Sequence, residues 1–258
     1  MNQVIVMAGG KGTRMNMTDI PKTMIRVEGK PIVEYIVEAA ESAVPETKPV
    51  VIVGFQGHTI QAYLGDRVIC VEQKEQLGTG HAVACAAPLL RERKDIKYVI
   101  VLAGDQPLIS ADTIRTVLDH HEKSQETITL GTVVVPDFSG IHEHLLHYGR
   151  IIRKEDGTVS RIVEYKDATE EERAIREVNT SVYCFDADWL WSHIDKLGSD
   201  NASKEFYITD LIGMAMEEGR NINAIPLPDP LEGLNVNTPE QLTAIGGVMG
   251  ERLLVAVA

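Results

Sequence analysis

A glycine-rich stretch near the amino end contains residue types that can bind phosphate. It reads Met7-Ala8-Gly9-Gly10-Lys11-Gly12-Thr13-Arg14-Met15, directly after the β-branched, strand-like residues 4–6, and Lys22 comes shortly after it. The glycines let the backbone turn sharply and approach a ligand closely. Successive backbone N–H groups then form an anion-binding concavity, and Lys11, Arg14 and Lys22 would offset the charge of the bound group. The stretch therefore predicts a polyphosphate-binding loop.

The loop differs from two common phosphate-binding motifs. A Walker A loop needs Gly-Lys followed by Ser or Thr, but Lys11 is followed by Gly12. A dinucleotide-binding fingerprint needs a third Gly or Ala where this chain has Met15. A surface turn without a ligand is the alternative. The position after the first strand favours a ligand, because open parallel sheets bind ligands at the carboxyl ends of their strands.

Two further polar residues have the chemistry of a Mg²⁺ site. Asp105 follows the apolar run 98–102, and Asn235 lies between Leu234 and Val236. Mg²⁺ prefers oxygen ligands and keeps several waters, which suits a carboxylate at a strand end. Asp105 could instead begin a turn with Gln106. An amide between apolar neighbours needs a partner, and either a metal or a backbone hydrogen bond would supply it for Asn235.

The histidines and cysteines give weaker signals. His142, His144 and His147 match no standard zinc spacing and are predicted to be solvated loop residues. The three cysteines, at positions 70, 85 and 184, also lack metal-ligand spacing and are predicted to be inert core thiols in a reducing compartment.

Apolar periodicity predicts alternating strands and helices. The predicted strands are 4–6, 50–53, 68–71, 98–102, 127–135, a 150–153/159–163 hairpin, 178–185, 222–225 and 234–236. The predicted helices are 31–42, 56–64, 79–91, one after Ser110, one from 170, one from 188, 209–218 and one from Pro239. This alternation predicts an α/β fold with a mostly parallel sheet covered on both faces. No repeat or linker is evident, so residues 1–258 are predicted to form one domain, with residues 140–185 as an inserted lobe.

Composition limits the partners. The 258 residues carry a formal net charge of −13, which argues against nucleic acid or an anionic membrane surface as a partner. A polyanionic substrate must then be attracted locally, by the loop cations and a metal. The chain enters a core strand within its first residues, so no signal peptide is expected, and the apolar residues 253–258 are too few to span a bilayer. A cytoplasmic location is predicted.

The motifs as a set resemble those of the nucleotide-sugar pyrophosphorylases, and most of all the uridylyltransferase domain of bacterial N-acetylglucosamine-1-phosphate uridylyltransferase. The resemblance covers nearly the whole chain in order. Its motifs are Gly10-Lys11-Gly12-Thr13-Arg14-Met15 with Pro21-Lys22, Gln76-Leu77-Gly78-Thr79-Gly80-His81-Ala82, Gly104-Asp105 with Pro107-Leu108-Ile109, Tyr148-Gly149-Arg150-Ile151, Val163-Glu164 with Lys166-Asp167-Ala168-Thr169, Val178-Asn179-Thr180, Glu205-Phe206-Tyr207-Ile208-Thr209-Asp210 and Glu232-Gly233-Leu234-Asn235.

The resemblance implies a three-layer α/β/α, Rossmann-like fold with a mixed sheet and a β-rich sugar-binding lobe. It implies uridylyl transfer from UTP to a sugar 1-phosphate, with Mg²⁺ shared by Asp105 and Asn235. The implied catalytic residues are Arg14, Lys22 and Asp105. The implied nucleotide-binding residues are Met7, Ala8, Gly9, Gly10, Lys11, Gly12, Thr13, Gln73, Gly78 and Thr79. The implied sugar-phosphate residues are Gly149, Glu164, Lys166, Asn179 and Thr180, although Lys166 could equally be a solvated strand residue.

Three departures from the family pattern leave alternatives open. Ala103 stands where the nearest relatives have Tyr before Gly-Asp, so another hexose 1-phosphate, or dTTP in place of UTP, remains a candidate substrate. The gap from Arg14 to Lys22 is one residue longer than in the nearest members of the family, which bears on the position of Lys22. The chain ends soon after the helix from Pro239, so the acetyltransferase half of the bifunctional relatives is expected to be absent.

Two further alternatives concern the class of protein. A nucleotide-sugar sensor would be expected to lack the metal and phosphate residues. A molybdopterin or methylerythritol cytidylyltransferase would be expected to lack the 76–81 and 232–235 motifs. Oligomeric state, and whether the chain is a stand-alone enzyme or part of a larger one, stay open.

Overall fold

The structure, a computed structural model, describes residues 1–10, 12, 15 and 20–257, with the backbone only at 253 and 255–257. The predicted loop residues Lys11, Thr13 and Arg14 lie outside the described residues. The strands are β1 (Asn2–Ala8), β2 (Arg26–Val27), β3 (Lys30–Pro31), β4 (Val50–Val53), β5 (Ile69–Glu72), β6 (Tyr98–Ala103), β7 (Ile128–Val134), β8 (Arg150–Arg153), β9 (Val159–Val163), β10 (Glu177–Asp186) and β11 (Ile222–Pro226). The helices are α1 (Ile32–Ala43), α2 (Gly57–Leu64), α3 (Thr79–Ala84), α4 (Ala87–Leu90), α5 (Ala111–Ser124), α6 (Glu170–Arg173), α7 (Ala187–His193), α8 (Asp210–Glu217) and α9 (Pro239–Val257).

Within the described residues, nine of these strands form one mixed sheet. Its order is β11-β7-β10-β6-β1-β4-β5, and β8 joins it by pairing with β10 and β9. The pairs β1–β4, β1–β6, β4–β5 and β7–β11 are parallel, whereas β10 runs antiparallel to both β6 and β7. The short strands β2 and β3, which the sequence analysis missed, pair with each other outside this sheet.

Apolar side chains alternate along the central strands and fill two cores, one on each face. Val4 and Val6 of β1 pack on the face covered by α1, α2, α5 and α9, whereas Ile5 packs on the face covered by α3, α4, α7 and α8. Strands buried on both faces read as continuous apolar runs. The three-layer α/β/α architecture is confirmed.

The antiparallel direction of β10 decides where the site forms. β6 ends at Ala103, so its carboxyl end places Gly104 and Asp105 at one edge of the sheet. Because β10 runs the opposite way, its amino end, with Asn179, lies at that same edge. The β8–β9 hairpin is attached there through the pair Val178–Arg150. The predicted lobe and the predicted metal residue therefore meet at one edge.

Two predicted elements were wrong in detail. The predicted helix 79–91 is broken into α3 and α4, because Pro88 lacks an N–H and its ring would clash with the carbonyl of Ala84, where α3 ends. The predicted strand 234–236 is not a strand. Val236 N–H donates a single hydrogen bond to the Asp105 carbonyl at 2.9 Å, so this segment is held without pairing in a ladder.

Several helix starts follow local capping rules. The Ser110 hydroxyl accepts from Thr113 N–H at the start of α5, as predicted. Thr169 and Glu172 form a reciprocal capping box on α6.

Among the described residues, no helix combines the length and apolar character needed to cross a bilayer. That residues 1–258 form one domain stays a prediction.

Candidate active site

Close backbone packing forms the floor of the site between β1, β4 and β6. The Gly104 N–H donates to the Met7 carbonyl at 2.9 Å. A Cβ added at Gly104 would lie 2.7 Å from that same oxygen, which is closer than real Cβ contacts. Only glycine therefore allows the turn after β6 to lie against the predicted phosphate loop. This contact brings Asp105 next to the start of the loop.

Gln73 joins the start of the phosphate loop to residues 76–80, named here the base-reading turn, whose Gly78 and Thr79 the resemblance assigns to the nucleotide. The residue as a whole is 4% exposed. Its Nε2 donates to the Gly78 carbonyl at 3.1 Å, and its Oε1 would lie only 2.8 Å from a Cβ on Gly9. The structure thus brings together Gly9, Gln73 and Gly78, three residues that the resemblance assigned to the nucleotide.

The base-reading turn is held by the segment around Phe206. Phe206 N–H donates to the Leu77 carbonyl, and Gly80 N–H donates to the Phe206 carbonyl, both at 2.8 Å. The Thr79 hydroxyl accepts from Ile208 N–H at 3.0 Å. Gly78 has φ +111°, a conformation that side chains disfavour. The Glu205–Asp210 motif therefore shapes the turn that carries Gly78 and Thr79.

Lys22 and Asp105 form a partly buried ion pair at the sheet edge. The Lys22 ammonium lies 2.5 Å from Asp105 Oδ2, and the two side chains are 11% and 16% exposed. The same ammonium donates to Asn237 Oδ1 at 2.6 Å. Gly12 is also close, because a Cβ on it would lie 2.7 Å from Lys22 Cβ. The predicted catalytic lysine thus lies between the phosphate loop and the predicted metal ligand.

The side-chain oxygen of Asn235 is available to bind a metal ion. Its Oδ1 is buried and has no hydrogen-bond partner among the described residues. Its backbone is close to Asp105, because Val236 N–H donates to the Asp105 carbonyl. A buried amide oxygen without a partner is unfavourable unless a ligand binds it. One carboxylate and one free amide oxygen therefore fit the hard-oxygen chemistry of Mg²⁺.

A cavity of about 480 Å³ is lined in part by Asn235, and most of the predicted sugar-phosphate residues lie in its walls. Its walls include Gly149, Glu164, Lys166, Asn179 and Asn235, with Thr79 at the nucleotide side. A Cβ on Gly149 would lie 3.5 Å from Glu164 Oε2, so these two residues are neighbours. Lys166 is exposed, and its Nζ lies 3.5 Å from Ser203 Oγ.

The carboxyl group of Glu164 lies in a desolvated, acidic part of the cavity. Burial raises its pKa, the Thr209 hydroxyl donates to Oε1 at 3.3 Å and lowers it, and nearby carboxylates of Asp167, Asp210 and Glu205 raise it further. A carboxyl group held this way is a strong acceptor for a sugar hydroxyl. It would reject an analogue that leaves it unpaired.

Hydrogen bonds at both the nitrogen and the oxygen of its carboxamide fix the orientation of the Asn179 side chain. Its Nδ2 donates to the Tyr183 hydroxyl at 2.6 Å, and its Oδ1 accepts from Ser181 N–H at 3.3 Å. Ser181 has φ +58° at an irregularity in β10, an unusual conformation for a residue with a side chain. Strained residues of this kind are common at ligand sites.

Thr180 is not among the cavity-lining residues. Its hydroxyl donates to the Gly131 carbonyl at 2.8 Å, and the residue is fully buried. Its own carbonyl accepts from Gln106 Nε2 at 2.6 Å. A side-chain contact from Thr180 to a sugar therefore has no support in this geometry, whereas its neighbours Asn179 and Ser181 do line the cavity.

Several cavity residues were missed by the sequence analysis. His144 and His147 both line the cavity. His147 is exposed, as predicted, whereas His144 is half-buried and lies within a 3₁₀ turn, Gly140–Leu145. No zinc-type group of His, Cys, Asp or Glu occurs among the described residues. Asn237 could have been found, because it is a second polar amide only two residues after Asn235. Tyr183 could not, because only the strand pairing brings it to the site.

Arg150 shapes the segment that carries Gly149. It is fully buried, and its guanidinium donates to the carbonyls of Leu146 at 2.7 Å, Arg173 at 3.2 Å and Tyr148. The guanidinium also stacks on the ring of Phe138 at 4.6 Å. Burial lowers its pKa. Arg150, which belongs to the Tyr148–Ile151 motif, therefore supports the backbone of the cavity wall and does not line the cavity itself.

The fold and this site together define a nucleotidyltransferase. The chain belongs to the MobA-like NTP transferase domain family, which it matches over residues 4–179. More particularly, it is 41% identical over 250 residues to the bifunctional protein GlmU of Brevibacillus brevis, and 42% identical over 251 residues to that of Geobacter metallireducens. The matches cover 97% and 96% of this chain but 52% and 50% of the relatives, so the chain spans about half their length.

A solved structure agrees with the fold. A UDP-glucose pyrophosphorylase, complexed with UDP-glucose, superposes with a TM-score of 0.75 at 18% identity, covering 98% of this chain and 99% of the other. The predicted membership of the nucleotide-sugar pyrophosphorylases, and the predicted fold class, are confirmed.

Proposed function

We propose that the chain transfers a uridylyl group from UTP to a sugar 1-phosphate, most specifically N-acetylglucosamine 1-phosphate, and releases pyrophosphate. The observation that carries this proposal is the Lys22–Asp105 ion pair beside a polar cavity that Asn235 lines, with the buried Asn235 Oδ1 unpaired among the described residues. The similarity to two GlmU proteins supports uridylyl transfer, because the family motifs include both the predicted nucleotide-binding residues and the predicted sugar-phosphate residues.

The proposed reaction needs no general base. An oxygen of the sugar 1-phosphate is already anionic at neutral pH, so it attacks the α-phosphorus of UTP directly, and the bond to pyrophosphate breaks. Acceleration then comes from positioning the two phosphates and from stabilising charge. Lys22 and Arg14 would bind the α-phosphate and the departing pyrophosphate. Lys22 must first exchange Asp105 for phosphate.

Asp105 and Asn235 would hold Mg²⁺, which neutralises phosphate charge when it is bound. Residues 7–13 would contact the triphosphate through backbone N–H groups, and Gln73, Gly78 and Thr79 would contact the uracil edge. Gly149, Glu164 and Asn179 would contact the sugar, with Lys166 near its phosphate. The net charge of −13 supports small substrates rather than nucleic acid or membrane partners.

Glucose 1-phosphate is the second candidate acceptor. Ala103 ends β6 beside the site, where the resembling enzymes present a tyrosine. The smaller side chain removes one potential sugar contact. The acetyltransferase activity of the longer relatives is not proposed for these 258 residues.

Pyrophosphate release tests the proposal directly. UTP, dTTP, CTP, ATP and GTP are each paired with the 1-phosphates of N-acetylglucosamine, glucose, galactose and mannose in the presence of Mg²⁺. The highest kcat/KM is expected for UTP with N-acetylglucosamine 1-phosphate. A preference for another pair would reassign the pocket, and silence across the grid in a folded sample would favour a nucleotide-sugar sensor.

A further inference from the structure

The hydroxyl group of Tyr148 ties the predicted sugar lobe to residues 233–236, named here the metal loop because they carry the proposed ligand Asn235. Tyr148 Oη accepts a hydrogen bond from the backbone N–H of Asn235 at 2.9 Å and donates one to the Gly233 carbonyl at 3.0 Å. Tyr148 and Asn235 are 87 residues apart in sequence. Tyr148 directly precedes Gly149 in the cavity wall, so a residue of the lobe fixes the backbone on both sides of Leu234.

Two other contacts of the metal loop come from the residues that follow β6, where Asp105 lies. Gln106 Nε2 donates to the Gly233 carbonyl at 3.1 Å, and Val236 N–H donates to the Asp105 carbonyl at 2.9 Å. Neither bond reaches the backbone N–H of Asn235. Tyr148 is thus the partner that the structure gives to this N–H among the described residues.

The carboxamide of Asn235 needs such support. Its Oδ1 is buried, and no described residue forms a hydrogen bond to this oxygen that would fix its direction. The direction of the side chain then depends on the backbone at Asn235. Partners that orient a metal ligand typically affect metal affinity or activity by about 10–100-fold when they are removed.

We propose that Tyr148 is a positioning residue that aims the Asn235 carboxamide at the metal and couples the sugar-binding lobe to the metal centre. The inference rests on the proposed metal site. A purely structural role would lower stability without changing metal affinity, so the two roles are separable.

The test compares Tyr148→Phe with Tyr35→Phe. Tyr35 also donates a hydrogen bond to a backbone carbonyl, that of Val27 at 2.8 Å, and it lies on α1 away from the cavity. Mn²⁺ binding is measured from the electron paramagnetic resonance signal of the free ion, with UTP present, at 10 °C on folded samples. Tyr148→Phe is expected to weaken Mn²⁺ binding about tenfold or more, and Tyr35→Phe to leave it unchanged.

The steady-state kinetics give a second readout. The Mg²⁺ concentration for half-maximal rate should rise in Tyr148→Phe in proportion to the loss of Mn²⁺ affinity. Wild-type metal affinity in Tyr148→Phe overturns the inference, and so does failure of this variant to fold at 10 °C. Asp105→Asn separates the two proposals: if it binds Mn²⁺ as tightly as the wild type, the metal site itself is wrong and the inference falls with it.

Discussion

The ammonium of Lys22 lies 2.5 Å from the carboxylate of Asp105, and it also contacts Asn237 at 2.6 Å. A cation therefore occupies one side of the carboxylate that is proposed to hold Mg²⁺. A second cation at Asp105 would repel Lys22. Mg²⁺ binding should therefore favour movement of the lysine towards phosphate.

Asp105→Ala should abolish most turnover while leaving the fold intact. Loss of a group that stabilises transition-state charge typically lowers kcat by about 10²–10³-fold. Lys22 keeps its bond to Asn237, which limits the loss of stability. Pyrophosphate release and thermal unfolding measure the two effects. Asp112→Ala, an exposed residue of α5, is the matched control. Near-normal turnover in Asp105→Ala would refute the metal assignment.

Gly78→Ala should damage the base-reading turn. The residue has φ +111°, and a Cβ would lie 2.6 Å from the Phe206 carbonyl oxygen. Backbone strain of this kind costs about 1–3 kcal/mol, and movement of the turn should raise the KM for the nucleotide. Gly213→Ala in α8 has open space around the added Cβ and should stabilise the chain slightly. An unchanged nucleotide KM in Gly78→Ala would exclude this turn from the binding site.

Glu164→Gln should separate stability from sugar binding. Burial raises the pKa of Glu164 above its ordinary 4.5, so between the two values the folded state holds a proton that the unfolded state has lost. The free energy of unfolding of the wild type therefore falls as pH rises from 4.5 to the raised pKa of folded Glu164. The stability lost in this range is not regained at higher pH. The variant should be more stable than the wild type at pH 7, with the difference vanishing below the ordinary value.

Chemical denaturation at several pH values measures this difference. The same substitution should raise the KM for the sugar 1-phosphate, because the carboxylate is lost as an acceptor. The exposed Glu217→Gln variant on α8 is the control. A stability difference that does not change with pH would contradict the prediction.

Arg150→Met should unfold the chain more easily and loosen the cavity wall. The substitution leaves the carbonyls of Leu146, Tyr148 and Arg173 without their donor. Buried acceptors left unpaired cost about 1–3 kcal/mol each, so the three together should cost at least about 3 kcal/mol. Urea unfolding measures it, with Arg115→Met on the surface of α5 as control. A loss below that of the control would show that water replaces the guanidinium.

The sequence by itself determined the fold class and the family. Continuous apolar runs such as residues 50–53 mark strands buried on both faces, and the glycine-rich residues 9–12 after the first strand predict a phosphate-binding loop. These signals are local, since each depends on a few neighbouring residues. The helix break at Pro88 was also readable from one residue, although the sequence analysis missed it.

Only the tertiary structure decided which side chains meet. The antiparallel direction of β10 brings Asn179 to the edge where β6 ends. There the Asn179 carboxamide contacts the Tyr183 hydroxyl, whereas the Thr180 hydroxyl donates to the Gly131 carbonyl. The bond from Asn235 to Tyr148 spans 87 residues, and that from Lys22 to Asn237 spans 215. Such contacts depend on strand order and register, which long-range packing fixes and which no local pattern of residues encodes.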